Sequence, residues 1–261
     1  MEYVELGNTG VQIPEIGLGT WRYTGGVEPL RTGISLGATL IDTAEAYGTE
    51  GAVGEAIRDM REKVFIATKV SPSHFKHDEV INAAENSLNR LGTDHIDLYQ
   101  LHWPSPAVPI GETMAAMDQL VSDGKIRFIG VSNFSVSELK EAQAATENRI
   151  VSNQVRYSLV DRAVETDVIP YCRDSGVTVI AYSPLARGIG NIKARLSHRA
   201  LETVAEATGK TEAQVALNWS IAEANVVAIP KSDSSDRTME NCDASGWRLS
   251  PEQLGLLAQP R

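Results

Sequence analysis

Short apolar runs alternate with longer amphipathic stretches along most of this chain. The strand-like runs are Ile16–Thr20, Leu40–Thr43, Val64–Lys69, Ile96–His102, Phe128–Ser132, Val151–Gln154, Val177–Tyr182 and Val226–Pro230. Each is short and carries β-branched or aromatic residues, the pattern of strands buried on both faces. Between them the spacing predicts helices over Asp78–Leu91, Glu112–Ser122, Ser137–Thr146, Thr166–Ser175, Arg199–Thr208 and Glu212–Glu223. In the first of these, Val80, Ile81, Ala84, Leu88 and Leu91 fall on one helical face. Gly92, Gly124, Gly176 and Gly209 stand where helices stop, and Thr211 stands where one starts, as a side-chain cap. Ahead of all this, Tyr3–Leu6 and Val11–Ile13 flank Gly7-Asn8-Thr9-Gly10, a hairpin signal.

Eight strands separated by helices imply a parallel sheet with right-handed crossovers. The rival, an open doubly wound sheet, would normally show a G-x-G-x-x-G turn after an early strand. Gly17-Leu18-Gly19-Thr20-Trp21-Arg22 lacks the third glycine and leads into Tyr23-Thr24-Gly25-Gly26 instead of a helix. The expected fold is therefore α/β, a (β/α)8 TIM barrel with an N-terminal β-hairpin plugging its amino-terminal mouth. The length of 261 residues matches such a barrel, which typically takes ~250. With no linker, repeat or low-complexity segment, residues 1–261 read as a single domain.

Composition narrows the partners. A net charge of −10 argues against nucleic acid or an anionic membrane surface. Cys172 and Cys242 sit in no C-x-x-C spacing and read as reduced thiols. The start, Met1–Glu5, is acidic and lacks the apolar stretch of a signal peptide. No apolar run approaches the ~20 residues of a membrane span. A cytoplasmic monomer acting on a small molecule is the expectation.

Polar groups crowd the carboxyl ends of the strands, where a parallel barrel carries its active site. The second strand ends in Asp42, with Tyr47 in the following loop; the third ends in Lys69 and the fourth in His102-Trp103. Taken singly, Asp42 is a turn residue, Lys69 an edge charge and His102 a packed histidine. Falling on successive strand ends of one barrel, they are placed to meet. Tyrosine is a poor acid at its ordinary pKa of ~10, and a neighbouring ammonium such as Lys69 is expected to lower it. Asp42 would keep a buried Lys69 charged, and His102 would polarise a carbonyl oxygen beside the Tyr47 hydroxyl. An acid without a nucleophile implies a second reactant brought by a cofactor, such as a hydride donor.

Taken in order, Gly17-Leu18-Gly19-Thr20-Trp21, Ile41-Asp42-Thr43-Ala44 with Tyr47-Gly48, Ala67-Thr68-Lys69 and Leu101-His102-Trp103-Pro104 form a recognisable series. It continues through Ile129-Gly130-Val131-Ser132-Asn133-Phe134, Asn153-Gln154, Tyr182-Ser183-Pro184-Leu185 and Ile229-Pro230-Lys231-Ser232 with Arg237 and Glu240-Asn241. Over essentially its whole length the sequence resembles the aldo-keto reductases. The resemblance implies a barrel that transfers hydride from NADPH, with NADH as a second option, to an aldehyde or ketone without a metal. It implies Tyr47 as general acid, Lys69 and Asp42 as its tuning groups, and His102 as the residue that orients the carbonyl. It also implies cofactor contacts from Gly19, Thr20, Asp42, Ser183 and Leu185. Ser132, Asn133 and Gln154 would bind the nicotinamide carboxamide, and Tyr182 would stack on the ring. Trp21 and Trp103, with Tyr47 and His102, would line the substrate pocket.

Lys231 and Ser232 lead into Ser234-Ser235-Asp236-Arg237, a helix start with cations beside it, suited to the ribose 2′-phosphate. Glu240 and Asn241 would reach the adenine. Asp233 departs from the family, which commonly has an apolar residue there; facing inward, it would repel that phosphate. The loop after His102 and the segment after Trp247 are short here, so an open pocket and broad specificity for small aldehydes, dicarbonyls and sugar-like carbonyls are expected.

Three other classes compete. A cofactor-sensing regulatory subunit of the same fold would need a partner surface beyond the barrel, and none is evident. A metal-dependent hydrolase would need several ligands, yet of His74, His77, His95, His102 and His198 only His102 ends a strand. An isomerase would need a carboxylate base and a phosphate clamp in place of a Tyr–Lys pair.

Overall fold

The computed structural model describes residues 1–196 and 199–258; His198 lies outside the described residues. Two short strands, β1 (Tyr3–Glu5) and β2 (Gln12–Pro14), pair antiparallel with Val4 opposite Ile13. Eight parallel strands follow: β3 (Leu18–Gly19), β4 (Leu40–Asp42), β5 (Phe65–Val70), β6 (Ile96–Leu101), β7 (Ile126–Ser132), β8 (Ile150–Arg156), β9 (Thr178–Tyr182) and β10 (Val226–Ala228). They neighbour one another in sequence order. The first and last meet through parallel bridges, Ile16 with Ala228 and Gly19 with Lys231, which close the sheet on itself. The Gly17 N–H donates to Ala228 O at 2.8 Å and the Gly19 N–H to Pro230 O at 3.0 Å. Gly19 is required at this seam, because a Cβ there would lie 2.6 Å from Ile229 O. A (β/α)8 barrel with a hairpin at one end is therefore the observed fold.

The expected helices appear as α3 (His77–Leu91), α4 (Ile110–Ser122), α5 (Val136–Ala144), α6 (Val168–Ser175), α8 (Ala200–Thr208) and α9 (Glu212–Ser220). Thr211 caps α9 reciprocally with Gln214, and Gly92, Gly176 and Gly209 close α3, α6 and α8 in the left-handed conformation. Two helices that the pattern does not announce, α1 (Glu28–Ser35) and α2 (Glu50–Ile57), follow β3 and β4 in the chain. Both carry glycine where the packing is closest: a Cβ on Gly33 would meet Leu18 Cδ2 at 2.6 Å, and one on Gly54 would meet Leu91 O at 2.5 Å. The remaining helices are α7 (Ile189–Lys193), α10 (Ser235–Cys242) and α11 (Pro251–Leu257). Among the described residues, no helix is long and apolar enough to cross a membrane.

Two apolar layers hold the fold. One lies between the sheet and its helices. The other fills the barrel with Leu40, Phe65, Ala67, Leu98, Ile180 and Val227, and continues into Leu6 and Ile13 of the hairpin. Gly7 donates its N–H to Thr178 Oγ1 at 2.9 Å, so the hairpin seats on the amino-terminal strand ends as expected.

Candidate active site

Strand alternation puts every second residue inside the barrel. On β4 that series runs from Leu40 to Asp42, on β5 from Phe65 and Ala67 to Lys69, and on β9 from Ile180 to Tyr182. Each inner face is thus apolar at its amino end and polar at its carboxyl end. The register that pairs Asp42 with Ala67 and Lys69 with Gln100 brings these polar ends to one mouth.

Lys69 is fully buried there. Its amine donates to both carboxylate oxygens of Asp42 at 2.7 and 2.8 Å and to Thr43 O at 2.8 Å. It reaches the Tyr47 hydroxyl at 3.5 Å and stands over the Tyr47 ring. Tyr47 ends a short 3-10 turn (Glu45–Tyr47) that Gly48 terminates at φ 69°. Its ring meets His102 edge-on at 5.4 Å, and its hydroxyl lies 3.3 Å from His102 Nε2. The four residues named from the strand ends therefore do come together.

One electrostatic expectation is corrected. Lys69 does not lower the Tyr47 pKa; burial and the Asp42 carboxylate push the phenol above its ordinary value. The ammonium is matched by Asp42 at contact distance, which leaves little net field for the tyrosine. Burial also holds Lys69 below its usual range, opposed by Asp42 and Glu50. Burial, reinforced by the Lys69 charge, lowers His102 to about 4, so its imidazole is neutral at pH 7.

A cleft of about 1140 Å³ opens over these groups. Trp21 and Trp103 line it and remain 40% and 49% exposed. Gly19, Thr20, Asp42, Ser132, Asn133, Gln154, Tyr182, Ser183 and Leu185 line it too, as do Lys231, Arg237, Glu240 and Asn241. Ser132 Oγ donates to Gln154 O at 2.9 Å, Asn133 Nδ2 donates to Ser132 Oγ at 3.0 Å, and the Tyr182 hydroxyl donates to Asn133 Oδ1 at 3.0 Å. Gln154 Nε2 donates to Asp42 Oδ2 at 2.7 Å, which ties this wall to the Lys69 pair. The Gln154 side-chain oxygen makes no hydrogen bond among the described residues, so an acceptor on the cleft wall is available to an amide.

At the other end, the Arg237 guanidinium has no hydrogen-bond or ion-pair partner among the described residues. Ser232 is absent from the cleft wall; its hydroxyl bonds Ser234, and it lines a small adjoining cavity with Gly19 and Asn241. Asp233 does not face the cleft. Its carboxylate accepts from the Thr24 N–H at 2.8 Å and from the Lys231 amine.

The pattern did not single out several residues that shape the site. Arg22 and Arg187 stack on the Trp21 ring at 4.5 and 5.3 Å. Both adopt positive φ, 55° and 64°, a backbone state with no sequence signal outside glycine or asparagine. Thr43 and Thr49 extend a hydroxyl chain from the expected Thr20, which donates to Asp42 O at 2.9 Å. Among the described residues, no group of three or more His, Cys, Asp or Glu is placed to hold a metal ion.

A family model described as the Aldo/keto reductase family matches residues 15–259. Methylglyoxal reductase YeaE of Escherichia coli (strain K12) is 41% identical over 259 residues, covering 95% of this chain and 90% of the relative. The solved structure of the thermostable aldo-keto reductase Tm1743 superposes with a TM-score of 0.92 at 44% identity, covering 99% of both chains. An aldo/keto reductase from Klebsiella pneumoniae, solved in complex with NADP and acetate, gives 0.91 at 39% identity, covering 99% of this chain and 96% of its own. The chain belongs to the aldo/keto reductase family, and it is an oxidoreductase of that family.

Proposed function

We propose that residues 1–261 form a single-domain, NADPH-dependent carbonyl reductase, a cytoplasmic monomer that converts small aldehydes, dicarbonyls and sugar-like carbonyls to alcohols. The observation that carries this is the contact of Tyr47 with both Lys69 and His102 at the floor of the cleft. NADPH supplies the hydride when bound. The Klebsiella relative's complex with NADP supports that choice, and the cleft is large enough for a cofactor with a small substrate.

The chain's own residues divide the remaining work. The Gln154 oxygen accepts from the carboxamide, Asn133 and Ser132 bond the same group, and Tyr182 offers its ring face. Gly19, Thr20, Ser183 and Leu185 line the path toward the phosphates, where Lys231 and Arg237 supply positive charge, with Glu240 and Asn241 toward the adenine. Neutral His102 donates an N–H to the substrate oxygen and fixes its position. Tyr47, kept protonated by its raised pKa, then gives its proton to the developing alkoxide, a stronger base than a phenolate. Lys69, anchored by Asp42, reaches the Tyr47 hydroxyl at 3.5 Å and holds that oxygen in position during the transfer. A pocket walled by two half-open tryptophans discriminates weakly among small carbonyls, and methylglyoxal, the substrate in the name of the Escherichia coli relative, is a small dicarbonyl.

The test is NADPH oxidation across a panel of methylglyoxal, short aldehydes and aldoses. Turnover of several members at comparable kcat/KM is expected. A single strongly preferred substrate contradicts the open-pocket account, and no turnover of any contradicts the function.

A further inference from the structure

Glu45 stands two residues before Tyr47, and the proposed chemistry gives it no part. The turn Glu45–Tyr47 has little to hold it from within. A backbone bond from the Tyr47 N–H to Ala44 O at 3.0 Å closes it, and no side chain caps its start. The bonds that fix it come from outside. One oxygen of the Glu45 carboxylate accepts from the Ser71 N–H at 2.6 Å and from His74 Nδ1 at 2.9 Å. The His74 nitrogen carries the proton in that bond, because a carboxylate only accepts. The Glu45 side chain is 10% exposed and does not line the cleft.

Ser71 follows Lys69 and Val70 at the end of β5. Val70 O accepts the His102 N–H at 3.0 Å. Successive residues of one strand end thus supply the ammonium, the backbone anchor of His102 and the backbone anchor of Glu45. The loop after β5 therefore sets where the Tyr47 turn sits relative to both of its partners. The hydroxyl's distances of 3.5 Å to Lys69 and 3.3 Å to His102 depend on that seating. We infer that Glu45 is a positioning residue for the proton donor, which through the Ser71 N–H and His74 holds the Tyr47 hydroxyl against Lys69 and His102. The inference rests on the proposed role of Tyr47 and adds to it a residue that acts through that side chain.

Both bonds fall on one carboxylate oxygen, so glutamine keeps the acceptor and removes only the charge, whereas alanine removes both. In Glu45→Ala, kcat for methylglyoxal reduction should fall about tenfold to a hundredfold, the scale of a misplaced catalytic group. NADPH affinity by fluorescence titration should stay within about twofold of the wild type, and Glu45→Gln should restore kcat to within about threefold. In a Tyr47→Phe background, followed by single turnover, adding Glu45→Ala should cost nothing more, because the group it positions is gone. Wild-type kcat in Glu45→Ala overturns the inference while leaving the role of Tyr47 standing. A further tenfold loss in the Tyr47→Phe background also overturns it, since the effect then lies outside the tyrosine. Glu45 also bears on His102, where its charge opposes the lowering by burial and Lys69. A glutamine variant as slow as the alanine assigns the effect to that charge and overturns the positioning role. Near-normal turnover by Tyr47→Phe alone contradicts the proposed function, and the inference falls with it. Melting temperatures show which variants are read as folded protein. If Glu45→Ala unfolds below the assay temperature, His74→Ala decides: it removes one bond from a half-exposed side chain, a loss of about threefold in kcat is expected, and no loss overturns the inference.

Discussion

The ammonium of Lys69 and the carboxylate of Asp42 form a fully enclosed pair, bonded at 2.7 and 2.8 Å on strands that are neighbours in the sheet. Neither is tolerable in the barrel alone, because an isolated buried charge costs far more than a paired one. Gln154 donates to the same carboxylate from β8, four strands further along the chain, so Asp42 links the proton-donor side of the cleft to the amide side.

Asp42→Ala is expected to destabilise the chain by about 3–5 kcal/mol, since it strands a buried ammonium. Denaturant unfolding of the variant checks this. Lys69→Met with Asp42→Asn should recover part of the loss while remaining inactive.

His102 gives stability a pH dependence with a definite sign. The folded chain protonates this imidazole near pH 4 against an ordinary 6.5, so between those values the unfolded chain binds the extra proton. The contribution is fully present above pH 6.5 and is lost as the pH falls toward 4. Melting temperatures recorded across that window should fall more steeply for the wild type than for His102→Gln.

Gly54→Ala runs against helix propensity. Alanine is the better helix former, yet its methyl would sit 2.5 Å from Leu91 O, a backbone atom that cannot turn aside. The substitution is expected to lower stability by about 1–3 kcal/mol, the usual penalty of overpacking, read from thermal or denaturant unfolding. A gain in stability would show that α2 is free to move off α3.

Much of this was legible along the chain because barrel strands are continuous apolar runs with a polar residue at one end. Leu40 to Asp42 and Ala67 to Lys69 show that change directly, and all eight expected strands are present within two residues of their ends. The capping of α9 by Thr211 was equally plain. Hidden were features that depend on what lies across a contact. Helices α1 and α2 carry Gly33 and Gly54, which read locally as helix breakers but answer to Leu18 and Leu91. The orientation of Asp233 was set by the Thr24 N–H, 209 positions away. The upward shift of the Tyr47 phenol comes first from its burial and then from the Asp42 carboxylate beside it, neither of which a spacing reveals.

The central claim is that the Tyr47 hydroxyl delivers the proton to a carbonyl held in this cleft. Its most direct measurement is a paired experiment on Tyr47→Phe: NADPH affinity by fluorescence titration, and single-turnover NADPH oxidation with methylglyoxal. The account predicts cofactor affinity within about twofold of the wild type, because the phenol makes no contact on which binding depends. Oxidation should slow by about 10²–10⁴-fold, the usual worth of a positioned general acid. Near-normal turnover by the phenylalanine variant would contradict it and move the proton donor elsewhere.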